Sequence, residues 1–136
     1  MIKAKIINSW EVKPFVLDAS YSSRMLLDDS VAGTQAIHIN EGTLKGGCRT
    51  GGGTHAVDEI YYVLKGEAVL HLDDETFEIK PGSLVFIPAG TFHSLDNNSE
   101  REDFVLLTFW QHASDNEVWQ MRKKAWGKTF KTINEE

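Results

Sequence analysis

The sequence predicts an all-β fold, a sandwich or a barrel, from the region between about residues 35 and 110. Short apolar runs recur there, and turn-forming residues such as LDDET and KPGS separate them. This length and spacing are typical of consecutive antiparallel strands rather than of alternating strands and helices. The runs are QAIHI, EGTLKGGC, EIYYVL, EAVLHL, TFEI, SLVFIP, TFHSL and FVLLTFW.

One α-helix is predicted near the C-terminus, over about Asp115 to Trp126. Ser114 and Glu117 form a capping box at its start, and Gly127 provides a stop signal after it. Two tryptophans fall two turns apart within the segment. We therefore expect the helix to pack on the barrel or on another subunit.

The length of 136 residues is that of a single domain, 1–136. We divide it into an N-terminal extension over 1–32, a barrel core over about 33–112 and the helix over about 115–126. Within the extension, WEVKPFVLD is a candidate edge strand. A hydrophobic content of 41% with 25% charged residues is ordinary for a globular protein.

Charge and composition exclude several classes of function. The net charge is −6 and the basic residues form no block, so we expect no nucleic-acid partner. No signal sequence or membrane-spanning run is evident, which predicts a cytoplasmic protein without membrane contact. Cys48 is the single cysteine, which excludes an internal disulfide.

The stretch GGGTHAVDEIYYVLKG contains the first candidate metal ligands. Side chains alternate across a strand, so His55 and Glu59 point to the same side if the segment is extended. Such a pair is either a surface feature or part of a metal site, and a metal site needs a third ligand. His93 can supply it, because it follows the Pro88–Gly90 turn at the start of the next strand, where its imidazole needs a polar partner; the alternative is a core or rim histidine satisfied by other groups.

Together these stretches resemble the cupin superfamily, whose motifs are G-x5-H-x-H-x3–4-E-x6-G and G-x5-P-x-G-x2-H-x3-N. The first motif is matched at Gly47, His55, Glu59 and Gly66, with 67–81 separating it from the second. The second motif is matched at every defined position, namely Gly82, Pro88, Gly90, His93 and Asn97. The resemblance implies a jelly-roll β-barrel that holds one divalent metal ion, with His55, Glu59 and His93 as ligands.

The chain departs from the family at one ligand position, since Gly53 stands where the family usually has histidine. The glycine run either leaves space or a mobile loop for substrate or water at the metal, or accompanies loss of the metal. Two histidines and a carboxylate form the facial triad of iron(II) oxygenases, yet they also suit manganese, nickel or zinc.

Two further residues are assigned to catalysis. Arg49 has the parity of His55 and is expected either to bind an anionic group of the substrate or to be a solvated edge residue. Tyr61 lies two residues beyond Glu59 and either orients the substrate or packs. His38 and His71 are expected on outer faces and are not assigned to the site.

Two functions follow. The first is a metal-dependent enzyme, of dioxygenase, isomerase or lyase type, acting on a small oxygenated molecule that chelates the metal. The alternative is a non-catalytic cupin that binds a small ligand, with or without metal. The amount of apolar surface also predicts a homodimer through sheet faces or edges.

Overall fold

The computed structural model describes residues 3–16, 18–28, 33, 36–111 and the backbone of 131–132. A short 3-10 turn, Ser9–Glu11, precedes the strands. The described residues contain ten strands: β1 Phe15–Val16, β2 Tyr21–Leu27, β3 Ile37–Leu44, β4 Glu59–Lys65, β5 Ala68–Leu72, β6 Glu75–Ile79, β7 Leu84–Ile87, β8 His93–Asp96, β9 Phe104–Gln111 and β10 Lys131–Thr132.

The strands form two antiparallel sheets, which confirms the predicted all-β jelly-roll fold. One sheet has seven strands in the order β10-β1-β2-β3-β9-β4-β7, and the other has three in the order β6-β5-β8. Side chains of β3 and β9 alternate strictly between buried and half-buried positions along most of their length. This alternation identifies one inner face per strand, as expected where two sheets enclose a core.

The interior divides into an apolar end and a polar end along the same strands. At the apolar end, the fully buried Leu44 of β3 pairs with the fully buried Phe104 of β9. Four residues along, the inward positions are polar: Asn40 of β3 lies opposite Thr108 of β9, which in turn lies opposite Tyr61 of β4. The polar end is where the candidate ligands lie.

His38 corrects one sequence-based expectation, because it is inside the barrel rather than on an outer face. Its exposed fraction is 1%, and its ring packs edge-on against Trp110 at a centroid distance of 5.6 Å. The neighbouring Ile37 and Ile39 are only half-buried and occupy the outer side of β3. By contrast, His71 is partly exposed, as expected, and its Nε2 lies 2.9 Å from Asp96 Oδ2.

The large sheet begins well before residue 33, where the sequence places the start of the barrel. Strand β2 pairs with β3 along its length, with an irregularity between Met25 and Leu27. Strand β1 lies within the candidate edge strand WEVKPFVLD, but it pairs with β2 on one side and with β10 on the other, so it is not at the edge of the sheet. The N-terminal segment therefore supplies part of the barrel wall.

The predicted C-terminal helix over Asp115–Trp126 lies outside the described residues and stays a prediction. Among the segments that the structure does describe, there is no helix of the length and apolarity required to span a bilayer.

Candidate metal centre

Three elements bring the predicted ligands together. Glu59 is the first residue of β4 in the large sheet, and His93 is the first residue of β8 in the small sheet. His55 lies in the segment that leads into β4. Glu59 is held on both sides, because its backbone pairs with Ile87 of β7 and with Trp110 of β9. The site therefore spans the space between the two sheets at the polar end.

The ligand atoms of these residues converge at short distances. His55 Nε2 lies 3.2 Å from His93 Nε2 and 3.6 Å from Glu59 Oε1, and His93 Nε2 lies 3.4 Å from the same oxygen. The side chains are 7%, 11% and 2% exposed for His55, His93 and Glu59 respectively. A carboxylate this deeply buried requires a compensating positive charge.

The Nδ1 atoms of both imidazoles contact backbone carbonyls, which leaves the Nε2 atoms to face the centre of the cluster. His55 Nδ1 lies 2.7 Å from the Val57 carbonyl oxygen, and His93 Nδ1 lies 2.9 Å from the Thr91 carbonyl oxygen. A carbonyl oxygen only accepts, so each Nδ1 donates a proton and, in neutral imidazole, each Nε2 presents a lone pair. Backbone carbonyls that orient imidazoles in this way are characteristic partners of metal-bound histidines.

This donor set fits a divalent metal ion. Two atoms that each lie about 2.1 Å from one ion are about 3.0 Å apart at a 90° angle and about 3.4 Å apart at 109°. The observed separations of 3.2–3.6 Å are close to that range. Two nitrogen lone pairs and a carboxylate repel one another at such distances unless a cation lies between them. Nitrogen and oxygen donors of this kind suit iron, manganese, nickel and zinc alike.

The glycine run before His55 forms a β-bulge. Arg49 is bridged to Asp96, and Gly53 is bridged to His93, so four residue steps lie opposite three. Gly52 has a positive φ of 76°, and a Cβ placed on it would lie 2.7–2.9 Å from Phe92, Ser94 and the His93 carbonyl. Gly52 therefore has to be glycine, and the extra residue brings Gly53 opposite His93.

The same bulge corrects the expectation that Arg49 shares the side of His55. Arg49 lies opposite Asp96, which is on the outer side of β8, and its Nε lies 4.0 Å from Asp96 Oδ1. Its side chain is 82% exposed. Parity counted along a regular strand fails here because the bulge inserts one residue between Arg49 and His55. Arg49 consequently lies at the rim of the cavity and not beside the ligands.

A cavity of about 370 Å³ opens over the ligand cluster. Tyr61 lines it, is 6% exposed, and packs edge-on against His93 at a centroid distance of 6.2 Å. The structure thus places Tyr61 beside the cluster, as predicted. The wall also includes Leu95 and Leu106, which makes the cavity partly apolar.

Sequence reasoning missed several polar residues of the cavity wall, namely Asp18, Ser20, Tyr21, Thr50, Thr54 and Thr108. Thr108 interrupts the buried row of β9 and was recognisable as a hydroxyl among inward-facing apolar side chains. Tyr21 enters from β2, and its hydroxyl lies where a side chain on Gly42 would otherwise be. A glycine inside a strand indicates such a close approach, although it does not say what approaches.

The lining of the cavity includes a carboxylate as well as the Arg49 guanidinium. Asp18 supplies this carboxylate, and hydrogen bonds donated by the side chain and backbone of Ser20 lower the pKa of its carboxyl group. Asp18 therefore stays ionised at neutral pH, and an entering ligand meets both a carboxylate and the Arg49 guanidinium.

Comparison with known sequences places this site in a family. The sequence profile described as "Cupin domain" matches residues 34–110, which include all three ligand residues. An uncharacterized protein of Methanocaldococcus jannaschii is 32% identical over 100 residues, which is 71% of this chain and 80% of the relative.

Solved structures share the fold. A polyketide cyclase from Streptomyces resistomycificus has a TM-score of 0.71 at 20% identity, over 88% of this chain and 94% of that protein. A predicted oxalate decarboxylase from Thermotoga maritima has a TM-score of 0.67 at 25% identity, over 80% of this chain and all of that protein.

Proposed function

The chain belongs to the cupin family, and on that premise we propose that it is a metal-dependent enzyme acting on a small oxygenated molecule that chelates the metal. The observation that carries the proposal is the convergence of His55 Nε2, His93 Nε2 and Glu59 Oε1 on one side of a ligand-sized cavity. Cavities that bind small molecules begin at about 300 Å³, so the 370 Å³ here favours a compact substrate.

His55, Glu59 and His93 would hold the ion. When bound, it would supply Lewis acidity for an isomerase or lyase reaction, or dioxygen chemistry if it is redox-active. The hydrogen bonds from the two Nδ1 atoms to backbone carbonyls keep both rings in orientation. Glu59 is 2% exposed, and the positive charge of the ion would compensate for the burial of its carboxylate.

Substrate positioning falls to the hydroxyl groups of the wall. Tyr61 is the leading candidate, because it contacts the His93 ring and lines the cavity. We propose that its phenol donates a hydrogen bond to a substrate oxygen or transfers a proton to it. Arg49, at the rim, would attract an anionic substrate without contacting the reacting atoms. A chelating substrate agrees with the likeness to the predicted oxalate decarboxylase, because oxalate carries two carboxylates.

The test is a substrate screen on protein reconstituted separately with iron(II), manganese, nickel and zinc. The substrates are hydroxy acids, diketones, phenols and sugar derivatives, followed by mass spectrometry with and without dioxygen. We expect one class to be consumed, with loss of turnover in His93→Ala and a lower kcat in Tyr61→Phe.

Binding without turnover across the whole screen would contradict the enzyme proposal. It would favour the alternative of a non-catalytic cupin that binds a small ligand. Consumption that is unchanged in His93→Ala would remove the metal centre from the reaction altogether.

A further inference from the structure

Gly53 lies directly opposite His93 in the strand pairing around the metal centre. Gly53 N donates to the His93 carbonyl at 3.2 Å, and His93 N donates to the Gly53 carbonyl at 3.1 Å. Two residues that exchange both hydrogen bonds project their side-chain positions to the same face. A side chain at residue 53 would therefore project beside the His93 imidazole, toward the ligand cluster.

Neither the backbone nor the packing requires glycine at this position. Its φ is outside the positive range that excludes ordinary residues. Within the described part of the chain, and apart from adjacent residues, no atom lies within 4 Å of a Cβ placed on Gly53. Gly52 is the reverse case, with a positive φ and three contacts shorter than 3.0 Å. The requirement for glycine in the bulge thus ends at Gly52.

The space beside Gly53 belongs to the cavity that His55, Glu59 and His93 line. Three protein ligands leave further positions on a divalent ion, since the candidate metals take four to six ligands. A side chain with a donor atom at residue 53 would reach one of these positions. Glycine leaves this position to a ligand from the cavity.

We propose that Gly53 determines the ligand class of this centre by leaving room for the second donor atom of a bidentate oxygen ligand. The proposal rests on the proposed metal centre and extends it to one residue. The ligand class is a small molecule with two oxygens on adjacent atoms, such as a 2-hydroxy acid, a 2-oxo acid, a catechol or oxalate. A ligand with one donor atom makes no use of the second position.

The experiment uses the cobalt(II)-loaded full chain and two probes. Acetohydroxamate binds through two oxygens and azide through one nitrogen, and the visible spectrum of cobalt(II) reports the binding of each. The variants are Gly53→His and the shorter Gly53→Asp, so that either one that folds is informative. Lys65→His is the control for an added histidine, because Lys65 is exposed at the end of β4 and is not one of the residues that line the cavity.

We expect Gly53→His and Gly53→Asp to bind cobalt(II) more tightly than the wild type and acetohydroxamate at least about tenfold more weakly, with azide affinity changed much less. Lys65→His should match the wild type for both probes. Equal acetohydroxamate affinity in the wild type and a folded Gly53 variant would overturn the role of Gly53 and leave the metal centre standing. Failure of the wild type to bind cobalt(II) would instead overturn the metal centre, and the proposal with it.

Discussion

At the scale of single residues, Gly52 determines which side chains face the metal centre. Its positive φ creates the bulge that moves Gly53, and not Gly52 itself, opposite His93. Without the extra residue, Gly52 would lie opposite His93, and the residues that follow would each be displaced by one position relative to β8. The positive φ of Gly52 thus determines that residue 53, rather than residue 52, lies opposite the ligand His93.

The two neighbouring glycines give a stability prediction. Gly52→Ala should lower the free energy of unfolding by about 1–3 kcal/mol, because alanine is strained at this φ and its Cβ meets backbone and ring atoms. Gly51→Ala is the control, with ordinary φ and open space among the described atoms, and should leave stability unchanged or raise it by up to about 1 kcal/mol. Urea denaturation of both variants measures this. Equal effects would contradict the assignment of the bulge.

The candidate site was predictable from sequence where it depends on side-chain identity and spacing. His55, Glu59 and His93 fall at positions of the two cupin motifs, which are defined by residue identity and spacing, and the structure brings them together. The orientation of Arg49 was not predictable, because it depends on a β-bulge within the run of three glycines. The sequence does not indicate which of these glycines forms the bulge. The position of the bulge is determined by the pairing of this segment with β8, the strand of His93.

At the scale of elements, β3 contributes to both the apolar end and the polar end of the barrel interior. Its inward positions change from Leu44 at the apolar end to Asn40 and His38 at the polar end, while its outward positions include two isoleucines. In most strands with one buried face, the apolar side chains point inward and the polar ones outward, whereas here the isoleucines point outward and the histidine inward. His38 was misassigned for this reason, since alternation alone gives two faces and does not say which is inside.

Gly42 of β3 gives a prediction about packing between elements. An ideal Cβ on Gly42 would lie 2.0 Å from the Tyr21 hydroxyl oxygen and 2.9 Å from its Cζ. Gly42→Ala should therefore cost about 1–3 kcal/mol of unfolding free energy by displacing the Tyr21 ring.

Tyr21→Phe removes the nearest clashing atom and serves as the second arm of a double-mutant cycle. The double variant should lose less stability than the sum of the single variants, by about 0.5 kcal/mol or more. Strict additivity would show that Tyr21 does not occupy the space that Gly42 leaves.

At the scale of the whole molecule, an apolar surface covers the outer side of β4 and β7. Tyr62 and Leu64 of β4 are 39% and 42% exposed, and Leu84 and Phe86 of β7 are 65% and 55% exposed. Strand β7 is the last in the order of the large sheet. An exposed apolar face beside a sheet edge is typical of an interface between subunits.

We therefore predict a homodimer through this face, in agreement with the expectation from composition. Size-exclusion chromatography with light scattering should give particles of two 15.3-kDa chains for the wild type. Phe86→Glu should shift the protein to single chains, whereas Phe77→Glu, at an exposed position in the other sheet, should not. A wild-type particle of one chain would refute the dimer.

The proposal that His55, Glu59 and His93 bind a metal ion is tested directly by the metal content of the protein. It is measured by plasma mass spectrometry on protein purified without an affinity tag. The wild type should contain or take up about one ion of iron, manganese, nickel or zinc per chain, held by His55, Glu59 and His93. His93→Ala should lose it, and His71→Ala, which removes a partly exposed histidine that is paired with Asp96 and is not part of the cluster, should retain it. A wild-type protein that neither contains nor takes up metal, or metal retained in His93→Ala, would contradict the account.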